Sequence, residues 1–338
     1  MSHYNFQTKL PLGTAVFGQF LGLEPPTQCQ ATYVWIDGTG ENLRSKTRTF
    51  NSVPQTLADY PVWSYDGSST GQANQRNSET FLYPVAVYRD PFLGPNARLV
   101  LCDTYNHLNE PTKTNHRAKC LKVMNAVAGE KAWFAMEQEY LLLDMDNYPL
   151  GWPKHGFPEK QGKYYCAVGA DRIFGREIVE THYRALFEYG FEHWRHQCRS
   201  DSCDQMWMSR YVLHRVCEQF GVIATLHPKP AVTAGGDWNG AGGLKVIEEA
   251  IKKLERHHSE HLLLYDPNNG TDNLQRLSGR CETSSVEKFT WGVANRQCSI
   301  RIPQQTSDEG KGYFEDRRPS SNCDPYMVTY AIASGCLL

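Results

Sequence analysis

Two glutamates, Glu137 and Glu139, sit two residues apart in the stretch AWFAMEQEYLLLDMD. Aromatic and branched residues alternate there, which predicts one strand over residues 132–146 with both carboxylates on one face, about 7 Å apart. Carboxylates share an apolar face only where a cation or paired bases offset their repulsion. Their oxygens suit hard divalent ions such as magnesium and manganese. A solvated strand edge is the alternative, and Trp133, Phe134 and Leu141 argue against it. Arg296 and Arg301 lie in VANRQCSIRIPQ, while Glu315, Arg317 and Arg318 crowd KGYFEDRRPSSNCDP. The guanidinium fork recognises carboxylate and phosphate. Any one of these arginines could be a structural salt bridge, but together, beside an acidic pair, they point to an anionic substrate handled with a metal. DWNGAGG (237–243) reads as a Gly-rich loop without the lysine and threonine of a P-loop. In FEHWRHQCRSDSC (191–203), His193, His196, Cys198 and Cys203 have the types and spacing of zinc ligands.

These residues need a scaffold. QATYVWIDGTGENLRSKTRTF (30–50) alternates on both sides of a Gly-rich turn and predicts two antiparallel strands. Arg44, Lys46 and Arg48 would share one face of the second strand, favoured as a solvated face over an anion site. YPVAVYRDP (83–91) and ARLVLCDTY (97–105) are further strands, and NEPTKTNHR (109–117) marks a boundary. A helix follows, with Ala118, Leu121, Met124 and Ala128 at helical spacing. More helices are expected near 174–190, 205–220 and 244–258. In the last, Leu244, Ile247, Ile251 and Leu254 face inward and Glu248 and Glu249 pair with Lys252 and Lys253. The domains are therefore 1–110, rich in β-structure, and 111–338, an α+β unit of catalytic size.

Composition narrows the function classes. A chain of 338 residues with 40% hydrophobic residues can bury a substantial core. A net charge of −2 lacks the basic face that nucleic acid requires. The 11 scattered cysteines argue against a secreted disulfide framework and for reduced thiols in the cytoplasm. No stretch reaches the ~18–20 apolar residues of a membrane span, and the N-terminus lacks a signal-peptide or transit pattern. MVTYAIASGCLL at the C-terminus reads as a packed helix or strand.

YVWIDGTG, YDGSST, MEQEY, GWPKHGFPEKQGKYYCAVGADR, GVIATLHPKP, DWNGAG, GVANRQCSIRIP and KGYFEDRRPSSNCDP, in that order, strongly resemble eukaryotic-type glutamine synthetase from about residue 30 to 335. The resemblance implies a β-grasp N-terminal domain, then a catalytic domain built on an antiparallel sheet with flanking helices. It implies ring-shaped homo-oligomers with active sites between neighbouring subunits, and ATP-dependent ligation of ammonia to L-glutamate through γ-glutamyl phosphate with divalent cations. Matched motif by motif, Glu137, Glu139 and Glu315 resemble metal ligands. Arg296 resembles the arginine touching glutamate and phosphate, and Arg301 one facing ATP; Tyr313, Phe314 and Glu315 fall in the ATP-binding strand. Arg317 and Arg276 resemble glutamate binders, and Asp237 and Trp238 sit where the substrate backbone is held. Asp66 resembles the carboxylate offered to the neighbouring subunit, where it takes a proton from ammonium. Glu282 in CETSS matches the flap glutamate that closes over the intermediate.

Two family segments are absent. After DWNGAG the family continues with a histidine-bearing metal and ATP segment, whereas here Gly243 runs straight into LKVIEEA. After ALFEYG it carries a strand pair with two further metal-binding glutamates; FEHWRHQCRSD stands there instead. Codons for Phe191 to Asp201 can be chosen so that a shift of one base yields Leu-Asn-Ile-Gly-Gly-Thr-Asn-Ala-Glu-Val, the family's own segment. The histidine–cysteine cluster thus reads as an out-of-frame product, not a zinc site. With these ligands lost, the chain as written is expected to turn over slowly or not at all. The alternatives are an inactive structural or regulatory subunit and, outside the family, an ATP-grasp-like or guanidino-kinase-like ligase.

Overall fold

A computed structural model describes residues 23–24, 26–155, 157–188, 201–227, 235–280 and 282–338. The first sheet contains β1 (Cys29–Ile36), β2 (Leu43–Phe50), β3 (Trp63–Asp66), β4 (Glu79–Arg89) and β5 (Arg98–Tyr105), in the order β2-β1-β5-β4-β3. β1 and β2 pair antiparallel around the 37–42 turn, as their alternation predicts, while β1 and β5 run parallel at the centre. Asp37 organises the turn by accepting from the Thr39 amide at 2.9 Å and pairing with Arg44 at 2.9 Å. Gly38 is required because a Cβ there would meet the Gly71 backbone at 2.5 Å. Lys46 and Arg48 do not simply face solvent. The Lys46 ammonium lies 3.5 Å from the Trp63 ring centroid, and the Arg48 guanidinium covers Trp63 and Phe50. Both rings attract cations through their faces, which the spacing within β2 could not reveal.

The second sheet holds β6 (Trp133–Glu137), β9 (Gly235–Gly243), β10 (Trp291–Val293), β11 (Ile300–Ile302) and β12 (Lys311–Asp316), in the order β10-β11-β12-β9-β6. Its pairs are antiparallel except β10 with β11. β7 (Leu141–Leu143) and β8 (Ile223–Thr225) form a separate antiparallel ribbon. The strand expected over 132–146 is therefore two strands in two sheets, broken at residues 138–140. The glycine-rich 237–243 belongs to β9 and is not a loop: β12 pairs along it to Gly243 and β6 as far as Asn239.

Among the described residues eight α-helices surround the sheets: α1 (His116–Ala126), α2 (Arg176–Glu188), α3 (Asp201–Phe220), α4 (Leu244–Arg256), α5 (His258–Leu264), α6 (Thr271–Arg276), α7 (Gln304–Glu309) and α8 (Pro325–Leu337). The mixture of sheets and helices is the α+β class that the sequence indicates. α4 buries Ile247, Ile251 and Leu254 as expected. Its Lys253, however, donates to the Cys336 carbonyl at 2.7 Å, across the packing interface with α8. On α1 the buried positions are Cys120 and Met124, with Val127 just beyond; Ala128 is exposed in a short 3₁₀ turn. α8 is apolar all round and accordingly buried, with Asp324 capping its first turn through the Tyr326 amide at 2.8 Å. One core unites Phe134, Ile300, Ile302 and Phe314 with α4 and α8. Another joins Val34, Leu99 and Leu101 of the first sheet to Met208, Val212 and Val216 of α3. The described cysteines are free thiols, buried except Cys166. Among the described residues no helix is long and apolar enough to cross a membrane.

Where the two sheets meet, Arg117 of α1 faces two carboxylates. It is bidentate to Asp204 at 2.9 and 3.1 Å and reaches Asp103 only at 3.6 Å. Burial raises the Asp103 carboxyl to about 6; Arg117 opposes the shift and Asp204 adds to it. A carboxyl with a raised folded pKa binds protons more tightly than in the unfolded chain, so stability falls as pH rises from about 4 to about 6. Asp103→Asn should therefore stabilise the protein at pH 7 by on the order of 2 kcal/mol, with the gain vanishing below pH ~4. Denaturation midpoints of both chains at pH 4.0 and 7.0 check this. Equal gains at both pH values would rule out the titration.

Candidate active site

The side of the second sheet away from the core carries the residues that the sequence singles out. Phe314 and Asp316 of β12 turn inward and are buried, leaving Tyr313 and Glu315 on the opposite face. On β11, Ile300 and Ile302 enter the core and Arg301 takes that open face. Arg301 lies directly opposite Glu315 in register and its guanidinium meets the carboxylate at 3.0 Å. Asp237 of β9 is opposite Glu315 on one side and Ala135 on the other, so its backbone position belongs to the same row. Glu137 ends β6 two residues further on, exposed.

Just past β12, Arg317 donates to the other oxygen of Glu315 at 2.7 Å and to the Glu282 carbonyl at 3.1 Å. Its Nε is buried without a partner. Glu282 has φ 63°, in the left-handed region, within a turn closed by a Ser278–Ser285 bridge. Such strain in a non-glycine residue clusters at ligand clamps and switch regions. The Glu282 carboxylate points to solvent and pairs with Arg296 at 3.0 Å. Arg296, Glu282, Arg317, Glu315 and Arg301 thus form one chain of contacts from the surface inward.

Other expected residues fall elsewhere. Glu139 lies beyond the end of β6, so it does not continue the strand face of Glu137. Its charge is felt by Arg276, whose guanidinium burial lowers to about 10 against that carboxylate. Arg276 is itself taken up by the main chain, donating to the carbonyls of Arg317, Arg318 and Pro319 at 2.6–2.9 Å. Phe314 contributes its side chain to the core. Asp66 lies in the first sheet, exposed, where the Ser68 and Ser69 hydroxyls at 2.6 Å hold its carboxyl down at about 2. His193, His196 and Cys198 lie outside the described residues, as does the side chain of Trp238. Cys203 is buried on α3 against Thr329 and the Pro325 carbonyl, an ordinary packed thiol.

The residues that sequence reasoning missed stand behind this face. Gln138, between the two glutamates, and Arg210, in WMSRYVLHRV of α3, are joined at 2.6 Å. An arginine flanked by the buried Trp207, Met208, Tyr211 and Leu213 is the available signal. Whether a metal fits is decided by the carboxylates. Their oxygens have the right chemistry, but Glu139 leaves the strand and Glu315 is engaged by two guanidinium groups. Among the described residues no three His, Cys, Asp or Glu gather closely enough to hold an ion. As they stand, these residues do not fit a metal unaided.

Residues 246–337 match the family model for the catalytic domain of glutamine synthetase. The whole chain aligns with a probable glutamine synthetase from Caenorhabditis elegans, 58% identical with all of both chains covered. The chain belongs to the glutamine synthetase family. Its 338 residues are spread over 367 aligned positions, so the nematode relative carries residues where this chain has none. Glutamine synthetase 2 cytoplasmic of Drosophila melanogaster is 52% identical over 90% of this chain and 89% of its own. Glutamine synthetase 1, mitochondrial, of the same organism is 48% identical over 97% and 89%. Glutamine synthetases are glutamate–ammonia ligases, and nothing in these comparisons favours an inactive alternative.

Proposed function

We propose that this chain joins ammonia to L-glutamate at the open face of its second sheet, with ATP as co-substrate. The observation that supports this reading best is the contact chain Arg296–Glu282–Arg317–Glu315–Arg301. Three guanidinium groups converge on a surface that must receive a dicarboxylate and a triphosphate. The glutamate γ-carboxylate oxygen attacks the γ-phosphorus of ATP and ADP departs. Ammonia then adds to the acyl carbon of γ-glutamyl phosphate, and phosphate leaves with the former γ-oxygen. Arg317 offers its unpartnered Nε to the substrate carboxylate, with Asp237, Trp238 and Arg276 around it. Arg296 swings from Glu282 to the phosphoryl group as charge develops there. Arg301, Tyr313, the Phe314 backbone and Glu315 face ATP, and Glu282 closes over the intermediate. Asp66, ionised at any working pH, accepts the ammonium proton in the neighbouring subunit's site.

We take residues 1–110 as a β-grasp domain, a reading that the central parallel β1/β5 pair supports, and 111–338 as the incomplete catalytic domain. The family's magnesium or manganese would need ligands beyond Glu137, Glu139 and Glu315, because Glu315 is already paired with Arg301 and Arg317. A homo-oligomeric ring and a cytoplasmic location complete the proposal. Glutamate carrying ¹⁸O in its γ-carboxylate tests the chemistry: one labelled oxygen should appear in the released phosphate. Unlabelled phosphate would exclude the acyl-phosphate route.

A further inference from the structure

Arg210 is fully buried on α3 with its guanidinium 4.6 Å from the Trp207 ring. Its hydrogen-bond partners are an amide oxygen and main-chain carbonyls, not a carboxylate. Nε donates to Gln138 Oε1 at 2.6 Å, and Nη2 donates to the carbonyls of Cys323 at 2.8 Å and Ser321 at 3.4 Å. Because Gln138 presents its oxygen to Arg210, its amide nitrogen faces the other way. That nitrogen donates to the Glu139 carbonyl at 2.8 Å and the Ser321 carbonyl at 2.7 Å. One guanidinium therefore ties two segments of the site together at the point where β6 stops. The first is the Glu137–Glu139 corner. The second is the turn that follows Arg317 and Arg318, whose Asn322 in turn donates to Glu41 of the first sheet at 2.7 Å. A buried charge costs heavily unless its hydrogen bonds are met, so packing alone gives no reason to place arginine here.

We propose that Arg210, acting through Gln138, is a positioning residue for the ligase reaction: it ends β6 at Glu137 and fixes the acidic corner against the Arg317 segment. Leucine at position 138 would let the strand slide on toward 140, and lysine at 210 keeps a charge but loses the fork. The catalytic effect rests on the function proposed above, whereas the structural coupling does not.

Two readouts on the full chain separate them. In hydrogen exchange, Arg210→Lys and Gln138→Leu should each lower protection of peptides covering 136–140 and 319–324 together, by roughly ten-fold or more. The middle of α3 should stay protected. In steady-state ligation, each variant should lower kcat by roughly 10- to 10²-fold with little change in KM for ATP. The double variant should lose no more than the worse single one, because the two residues act as a unit. Exchange that rises only within α3, or leaves 136–140 unchanged, would overturn the proposal even in a chain without turnover. Coupled exchange with an unchanged kcat would confine Arg210 to a structural role and likewise overturn it.

Discussion

Arg318→Met should cost the folded protein about 3–5 kcal/mol, among the largest single-site losses expected in this chain. Arg318 and Asp316 are both completely buried, on the core side of β12, and meet at 2.7 and 2.9 Å. Tyr265 donates to the same carboxylate at 2.9 Å. Burial alone would raise the Asp316 carboxyl, yet Arg318 and these hydrogen bonds pull it below the ordinary range. Methionine fills much of the volume but leaves the carboxylate in an apolar setting beside His258 and His261. Those histidines are disfavoured as cations: burial, then Arg318, lowers both, His261 to about 4. With Arg318 removed, burial still disfavours both imidazolium forms. Replacing both partners, with Asp316→Leu added, should recover a good part of the loss. Urea denaturation of the three chains measures this. A single variant as stable as the parent would show that the pair contributes nothing to holding β12.

Arg317→Ala should lower kcat/KM for glutamate by a factor on the order of 10²–10³, or ~3–4 kcal/mol of transition-state stabilisation. The guanidinium orders two partners at once, Glu315 at 2.7 Å and the Glu282 carbonyl at 3.1 Å, while its buried Nε has no partner. Alanine would release the Glu282 turn from the sheet and leave Glu315 with Arg301 alone. Arg317→Lys supplies charge to Glu315 but cannot also reach the turn, so it should recover only part of the loss. Steady-state rates against glutamate concentration check it. A lysine variant with full activity would mean that charge, and not the fork, matters there.

Much of the first sheet is legible in the sequence because its strands are short runs rich in β-branched and aromatic residues beside a Gly-rich turn, a local signal, although β1 buries Ala31 to Trp35 without alternation. The Glu315–Arg317 pair is locally legible too, being two residues apart at a strand end. What escapes is decided by distant partners. The run from Ala132 to Leu143 has no local break; the strand stops because Arg210 and Ser321, far along the chain, take Gln138. Glycines hide β9, since they provide no alternation to read and its strand character comes from β6 and β12. Phe314 and Glu315 sit side by side in one motif, and only the pleat sends one to the core and the other to the site. Arg276 looks like a substrate binder until the carbonyls of residues 317–319 are brought to it.

The most direct test incubates the purified chain with glutamate, ATP, ammonium and magnesium, and follows glutamine and phosphate together. Glutamine should form with one phosphate released per molecule, and its formation should fall in Arg317→Ala while the fold is kept. The gaps beside DWNGAG and in the 191–201 segment are expected to hold the rate below that of a chain with both family segments restored. A folded chain that released phosphate without glutamine, or a chain with both segments restored that formed no glutamine above the blank, would contradict the assignment of this sheet face as a ligase site.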